Sequence, residues 1–344
     1  MKIDESNLDM KIGVVGAGSW GSALANLLAV KGYPIDWWIF EEEVCRQIIE
    51  TGTNAVFLPD VRLSPNLRPT NDLLRAVQDK DLVLIVVPSH VIRQVALQMA
   101  PMLSPQAVVV CASKGIENET QLTMSGVLQE ALPQLGPDRY AALSGPSFAR
   151  EVASGLPTVV TAASRAVSCA RTVQKVFATP VFRVYTNDDV IGVELGGSVK
   201  NVIAIAAGMI DGLGMGLNTR AALIARGLTE IRRLGLAMGA NPRTFTGLAG
   251  VGDLVLTCTG NLSRNHTVGL KIGQGMRLAQ VLAEMRMVAE GVKTARSVYA
   301  LSRRLQVEMP ISQAVYHILY EGLSPQAATY QLMTRDLKCE LDDD

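Results

Sequence analysis

The stretch KIGVVGAGSWGSALANLLAVKG, residues 11–32, decides the fold. A short β-type run, KIGVV, leads directly into Gly16-Ala17-Gly18-Ser19-Trp20-Gly21 and then into a helical pattern. In this GxGxxG arrangement Gly16 permits a tight turn and Gly18 lets a pyrophosphate approach the backbone. Gly21 allows close packing of helix on strand. The helix N-terminus then offers unpaired N–H groups and a partial positive charge to the phosphates. Glycine turns are common, so the motif draws its weight from its setting between a strand and a helix.

Outward from this loop, further apolar runs predict strands at 35–40 (IDWWIF), 82–87 (LVLIVV), 107–112 (AVVVCA), 158–163 (TVVTAA) and 181–185 (VFRVY). Amphipathic stretches such as 21–30 and 89–99 lie between several of them. Continuous β-branched runs alternating with helices indicate a parallel sheet covered on both faces. After about Asn187 the strand-like runs nearly vanish, and helical patterns cover 189–210, 218–238, 264–274, 277–287 and 291–306. The expected architecture is a doubly wound α/β dinucleotide-binding domain over 1–188 and an all-α domain over 189–344.

The second predicted strand ends in WIFEEE, and Glu41 follows Gly21 by about twenty residues, where an acidic side chain binds the ribose 2′-OH of NAD. No arginine that would accept the 2′-phosphate of NADP occurs before Arg46. NAD is therefore favoured over NADP. Glu41, Glu42 and Glu43 could equally complement the dipole of the helix that follows.

Composition removes several classes. The 344 residues are 48% apolar and 19% charged, as in a soluble globular protein with a large core. Lys+Arg and Asp+Glu both total 32, so no global positive field favours nucleic acid or an anionic membrane. The five cysteines are scattered, without CxxC or Cys/His ligand spacing, so neither a disulfide framework nor a metal site is expected. The polar, acidic start MKIDESNLDM lacks the apolar core of a secretory signal, and the cytoplasm is the expected compartment. GxxxxGK[ST] and GxSxG are both absent.

VELGGSVKNVIAIAAGM, residues 193–209, is too charged for a membrane span, with Glu194 and Lys200 inside it. An ammonium buried without a partner is expensive, so Lys200 needs a reason. Helical neighbours of Lys200 are Gly196, Gly197, Ala204 and Ala207, while Ile191, Leu195, Val202, Ile205 and Met209 form an apolar spine elsewhere. The expectation is a lysine projecting over small residues that leave room for a ligand. The competing expectation is a lysine reaching solvent from a helix edge or pairing with a carboxylate.

Taken together, GAGSWG, VVPSH, ASKG, SGPSFA.E, GVELGGSVKNVIAIAAG, GLAGVGDLVLTC, SRN and AEGVKT occur in an order that resembles the bacterial type of NAD(P)-dependent glycerol-3-phosphate dehydrogenases, from about Lys11 to about Gln331. The resemblance implies a Rossmann-type domain, a helical substrate domain and a homodimer. It also implies reversible reduction of dihydroxyacetone phosphate to sn-glycerol 3-phosphate for phospholipid synthesis. By the same resemblance Lys200 is the catalytic lysine, and Lys114 contacts both substrate and cofactor. Gly145, Ser147, Asp253, Ser263, Arg264 and Asn265 fall on substrate positions. Gly16, Gly18, Ser19, Trp20, Gly21, Phe40, Glu41, Ala149, Val288 and Glu290 fall on cofactor positions, with Arg264 shared. Phe40 stands where relatives often carry a basic residue, which weakens the usual NADP preference.

The chemistry is consistent with these roles. Hydride transfer to a ketone develops negative charge on oxygen, so a nearby acid must supply a proton, and a buried lysine of lowered pKa can do so. Lys114 would help hold the carbonyl. SRN opens a predicted helix and can gather a guanidinium, polar side chains and helix N–H groups around a phosphate. Asp253 would orient a lysine or a substrate hydroxyl, or else cap a helix beginning at Leu254. The nearest rival is a Rossmann dehydrogenase of β-hydroxyacids or ketopantoate. A non-catalytic NAD sensor is the rival from another class.

Overall fold

A computed structural model of the chain describes residues 9–285 and 287–340. The first eight residues and the DDD terminus, read from sequence as polar ends, lie outside the described residues. Contacts divide the chain into two units, one of residues 1–114 and 124–193, the other of 115–123 and 194–344.

The first unit is built on an eight-stranded sheet. Its strands are β1 (Ile12–Val15), β2 (Ile35–Trp38), β5 (Leu67–Thr70), β6 (Leu82–Ile85), β7 (Val108–Cys111), β8 (Tyr140–Ser144), β9 (Thr158–Ala163) and β10 (Phe182–Asn187). A separate hairpin pairs β3 (Thr53–Asn54) with β4 (Leu58–Arg62). The sheet order is β10-β9-β8-β7-β6-β1-β2-β5. From β5 to β8 this is the doubly wound order 3-2-1-4-5-6, with every pair parallel. β1 and β6 are fully buried, as strands covered on both faces should be.

The sheet departs from an all-parallel expectation at one step, because β8 and β9 pair antiparallel. The connection between them holds only the five-residue helix Ala149–Ala153, too little for the crossover that a parallel neighbour usually requires. β9 and β10, joined through the longer helix Val167–Phe177, are parallel again.

The second unit is helical. Its longest element, Val190–Gly212, here termed the lysine helix, begins at the end of the first unit. It is long and apolar enough to cross a membrane, yet 94% of its apolar window is buried inside the protein, so it is a core helix. It packs on the helix Arg264–Gly273 at very short range. A Cβ on Gly208 would lie 2.0 Å from the His266 carbonyl oxygen, and one on Gly269 would lie 1.9 Å from that of Ile205. The helices Gly216–Ala237, Glu290–Arg304, Pro310–Tyr320 and Pro325–Met333 complete most of the unit.

The stretch 115–123 lies between β7 and the helix Met124–Ala131 in sequence but belongs to the helical unit, whereas its position in sequence placed it in the first domain. Hydrogen bonds account for this. Ser198 Oγ donates to the Gly115 carbonyl at 3.2 Å, and Ser297 Oγ donates to that of Ile116 at 2.8 Å.

Candidate active site

In the first unit the glycine loop sits after β1, at the point where the chain order reverses between β1 and β6. Gly16 has φ +118°, and a Cβ there would meet the Val86 carbonyl oxygen at 2.5 Å. A Cβ on Gly21 would meet the Gly16 carbonyl oxygen at 2.4 Å, whereas one on Gly18 would meet nothing within 4 Å. The loop thus requires Gly16 and Gly21 for its own packing and leaves open space at Gly18. Gly18 is also the N-cap of the helix Ser19–Lys31 and supplies no side chain to that helix end. The indole nitrogen of Trp20, beside the loop, is buried with no hydrogen-bond partner. These features fit a dinucleotide phosphate, with Ser19 and Trp20 opening the helix that would receive it.

Beyond β2, Phe40 is 76% exposed and meets Trp38 edge-on at 6.0 Å. Glu41 is the N-cap of the helix Glu42–Thr51, but its side chain accepts no capping hydrogen bond. Glu42 and Glu43 occupy the first turn, where they complement the helix dipole, and Glu43 binds Arg46 at 2.9 Å. The acidic triplet therefore divides its work, with Glu41 left outside the capping interactions.

Lys114 lies just beyond the carboxyl end of β7, and its Nζ donates to the Gly145 carbonyl at 3.2 Å. Ser147 Oγ donates to the same oxygen at 2.9 Å. Gly145 has φ +145° and packs so closely on Val160 that a Cβ would stand 2.9 Å from its Cα. One strained turn after β8 thus brings Lys114, Gly145 and Ser147 together, with Ala149 starting the next helix.

In the second unit Lys200 is 6% exposed. Its Nζ forms a short ion pair with Asp253, which is 1% exposed, and donates to Thr257 Oγ1 at 2.8 Å. Thr257 Oγ1 in turn donates to the Asp253 carbonyl at 2.6 Å. The small-residue stripe has a different purpose from the one expected. A Cβ on Gly196 would stand 2.3 Å from the Ala249 carbonyl, so this glycine admits the π-helical turn Leu248–Gly252 against the lysine helix. Ala204 and Ala207 are fully buried. The stripe is a packing groove, not an open ligand floor, and the turn docked there presents Asp253 to Lys200. Beside the pair, burial pushes the Cys258 thiol up to about 12, which makes it inert as a nucleophile.

Ser263 is the N-cap of the helix Arg264–Gly273, its Oγ accepting from His266 N at 3.2 Å. Asn265 is a cross-brace: its Nδ2 donates to Asn201 Oδ1, and its Oδ1 accepts from Gly291 N, both at 2.9 Å. Arg264 is exposed, although surrounding protein lowers its pKa by desolvation against the opposing pull of Glu290. Glu290 begins the helix Glu290–Arg304, and Val288 before it is 42% exposed. His266 Nε2 and Arg220 both meet Asp211 at 2.8 Å, fastening the first turn of the helix Arg264–Gly273 to the end of the lysine helix.

Thr257 and Asn201 were absent from the residues singled out in the sequence, yet each contacts one that was. The spacing of Thr257, four positions after Asp253 on one helix face, was the available signal.

Residues 11–170 match the family model for the N-terminus of NAD-dependent glycerol-3-phosphate dehydrogenase, and residues 189–330 match the model for its C-terminus. The glycerol-3-phosphate dehydrogenase (NAD(P)+) of Syntrophobacter fumaroxidans is 58% identical over 331 residues, which span 96% of this chain and 97% of the relative. The protein of the same name from Geobacter sulfurreducens is 58% identical over 330 residues, 96% and 98% of the two chains. The crystal structure of glycerol-3-phosphate dehydrogenase from Coxiella burnetii matches with a TM-score of 0.92 at 40% identity, covering 95% of this chain and all of that one.

Proposed function

The chain belongs to the NAD-dependent glycerol-3-phosphate dehydrogenase family, and on that premise we propose a proton-donor role for Lys200. The protein is an NAD(P)-dependent oxidoreductase that interconverts dihydroxyacetone phosphate and sn-glycerol 3-phosphate. The observation that supports Lys200 is its buried ammonium, held by Asp253 and Thr257.

When bound, the nicotinamide supplies or accepts the hydride. The chain's own task is to manage the proton and the phosphate. Lys200 Nζ gives a proton to the ketone oxygen as negative charge develops there. Asp253 compensates the buried ammonium beforehand, and Thr257 fixes its direction. Once the proton has left, the remaining Asp253 carboxylate favours reprotonation of the amine, which resets the site. Arg264 and the helix end capped by Ser263 receive the phosphate, with Asn265 holding that turn in place. Lys114, anchored on Gly145 with Ser147, helps hold the carbonyl.

The N-terminal part of the chain carries the dinucleotide, with Gly16, Gly18, Ser19, Trp20, Gly21 and Ala149 around it, and the helical part contributes the proton donor and the phosphate-binding residues. Val288, Glu290 and Arg264 are further cofactor residues. NAD is the preferred cofactor, because Glu41 is available to a ribose 2′-OH and would repel a 2′-phosphate, while Phe40 offers it no charge. The enzyme works as a cytoplasmic homodimer that feeds phospholipid synthesis.

The deciding experiment adds dihydroxyacetone phosphate to purified protein with NADH or NADPH at equal concentration. Loss of NADH absorbance, faster than that of NADPH, is the expected result. Reduction of a β-ketoacid but not of the phosphorylated triose would overturn the substrate assignment. A strong NADPH preference would overturn the role of Glu41.

A further inference from the structure

The glycine loop is gripped from its inner side by three buried donors, and one of them comes from outside the βαβ unit. Asn54, on the short strand β3, is fully buried. Its Nδ2 donates to the Ala17 carbonyl at 3.0 Å and to Ser22 Oγ at 2.9 Å, while its Oδ1 accepts from Phe57 N at 3.1 Å. Ser22, also fully buried, donates from Oγ to the same Ala17 carbonyl at 3.0 Å. One position earlier, the Trp37 indole donates to the Gly16 carbonyl at 2.9 Å.

Ala17 stands between Gly16 and Gly18 of the loop. In a planar trans peptide the carbonyl and the following N–H point in opposite directions, and the described chain contains no cis peptide. Two donors that hold the Ala17 carbonyl inward therefore turn the Gly18 N–H outward, on the residue where no atom would contact an added Cβ. A loop free to rotate this peptide would have to order it on binding, at an entropic cost.

We propose that Asn54 is a positioning residue for the dinucleotide, acting with Ser22 to fix the Ala17–Gly18 peptide so that its N–H faces the phosphate. The inference rests on the assignment of the glycine loop to the cofactor. It gives the β3–β4 hairpin a purpose in binding, although its buried asparagine touches only protein.

The test uses the full chain. Asn54→Asp keeps the size of the side chain and the acceptor for Phe57 N but replaces the donors facing Ala17 with an oxygen. Titration of NADH without triose should show at least ~10-fold weaker binding, the order expected for one buried hydrogen bond lost to an unpaired acceptor. The loss should fall on the NADH Kd and KM, with the KM for dihydroxyacetone phosphate at saturating NADH nearly unchanged. Ser22→Ala, which removes a single donor and is the milder variant should Asn54→Asp fail to fold, should weaken NADH binding in the same direction by a smaller factor. Asn54→Asp combined with Ser22→Ala should cost less than the two single losses together, because both act on one carbonyl. Wild-type NADH affinity in folded Asn54→Asp, or in Ser22→Ala where the former does not fold, would overturn the proposal. So would equal losses for NADH and triose. Failure of the wild type to reduce the triose, with NADH binding still sensitive to Asn54, would instead overturn the substrate assignment alone.

Discussion

The glycine loop and the lysine centre solve opposite problems. The loop offers an anion its backbone, so what matters there is where side chains are missing: Gly18 borders open space, and Gly16 and Gly21 leave room for the backbone itself. The lysine centre offers a charge, so what matters is where side chains are present. Lys200, Asp253 and Thr257 come from two segments and are linked through one another. A backbone site tolerates change in its surroundings but not added volume within it. A side-chain site fails when any one partner is removed.

The largest expected effect tests the second half of that contrast. Lys200→Ala should lower turnover by at least ~100-fold, the usual scale of general acid catalysis, while leaving NADH binding intact. It should also lower stability, because the buried ion pair with Asp253 would be broken, a loss of about 3–5 kcal/mol. Lys200→Arg separates the two effects, since a guanidinium keeps the positive charge but does not release its proton at neutral pH. Steady-state rates for Lys200→Arg within tenfold of the wild type would remove the proton-donor role.

The loop provides the next test through two glycines that lie two residues apart. Gly16→Ala places a methyl group 2.5 Å from a backbone oxygen at φ +118°, so thermal melts should show a loss on the order of a few kcal/mol. Gly18→Ala meets no protein atom and has φ −61°, so the fold should keep its melting temperature while NADH affinity drops about tenfold as the methyl takes up ligand space. Equal NADH affinity in Gly18→Ala and wild type would mean that the open space faces something other than the cofactor.

The same contrast explains what could be read from the sequence. A backbone site writes itself as glycines in one contiguous run, and the tight turn expected at Gly16 agrees with its φ of +118°, whereas Gly21 makes room for the loop's own Gly16 carbonyl. The lysine site is dispersed over segments more than fifty residues apart, and helical periodicity describes only one of them. Gly196 was therefore assigned to a ligand when its actual neighbour is the Ala249 carbonyl. Asn54 carries no local signal, because its hydrogen bonds reach a loop more than thirty residues away. Among the strands of the large sheet, β8 (YAALS) and β5 (LRPT) escape the pattern, one poor in β-branched residues and the other interrupted by proline, as do the short β3 and β4 of the hairpin. Helices Pro310–Tyr320 and Pro325–Met333 went unread although each starts with a proline suited to a first turn.

Glu230 extends the comparison to a buried charge that lacks an ion pair as close as that of Lys200, and the smallest effect on turnover is expected there. It is 2% exposed and receives Ile311 N at 2.5 Å, Ser312 N at 3.0 Å and Ser312 Oγ at 2.8 Å at the start of the helix Pro310–Tyr320. Burial outweighs these hydrogen bonds and the attraction of Arg233, and raises the carboxyl pKa to about 7 from an ordinary 4.5. A folded-state pKa above the unfolded one means that the native protein binds the proton more tightly. The stabilisation is thus fully present below the unfolded value of about 4.5, declines as pH rises through the interval, and is lost above about 7. Glu230→Gln cannot titrate, so the stability of wild type minus variant should fall between pH 5 and pH 8 in paired denaturant titrations, with turnover per folded molecule unchanged. A difference that rises with pH would mean that the hydrogen bonds at this helix end hold the carboxylate more strongly than burial penalises it, which would make Glu230 resemble the paired charge at Asp253 after all.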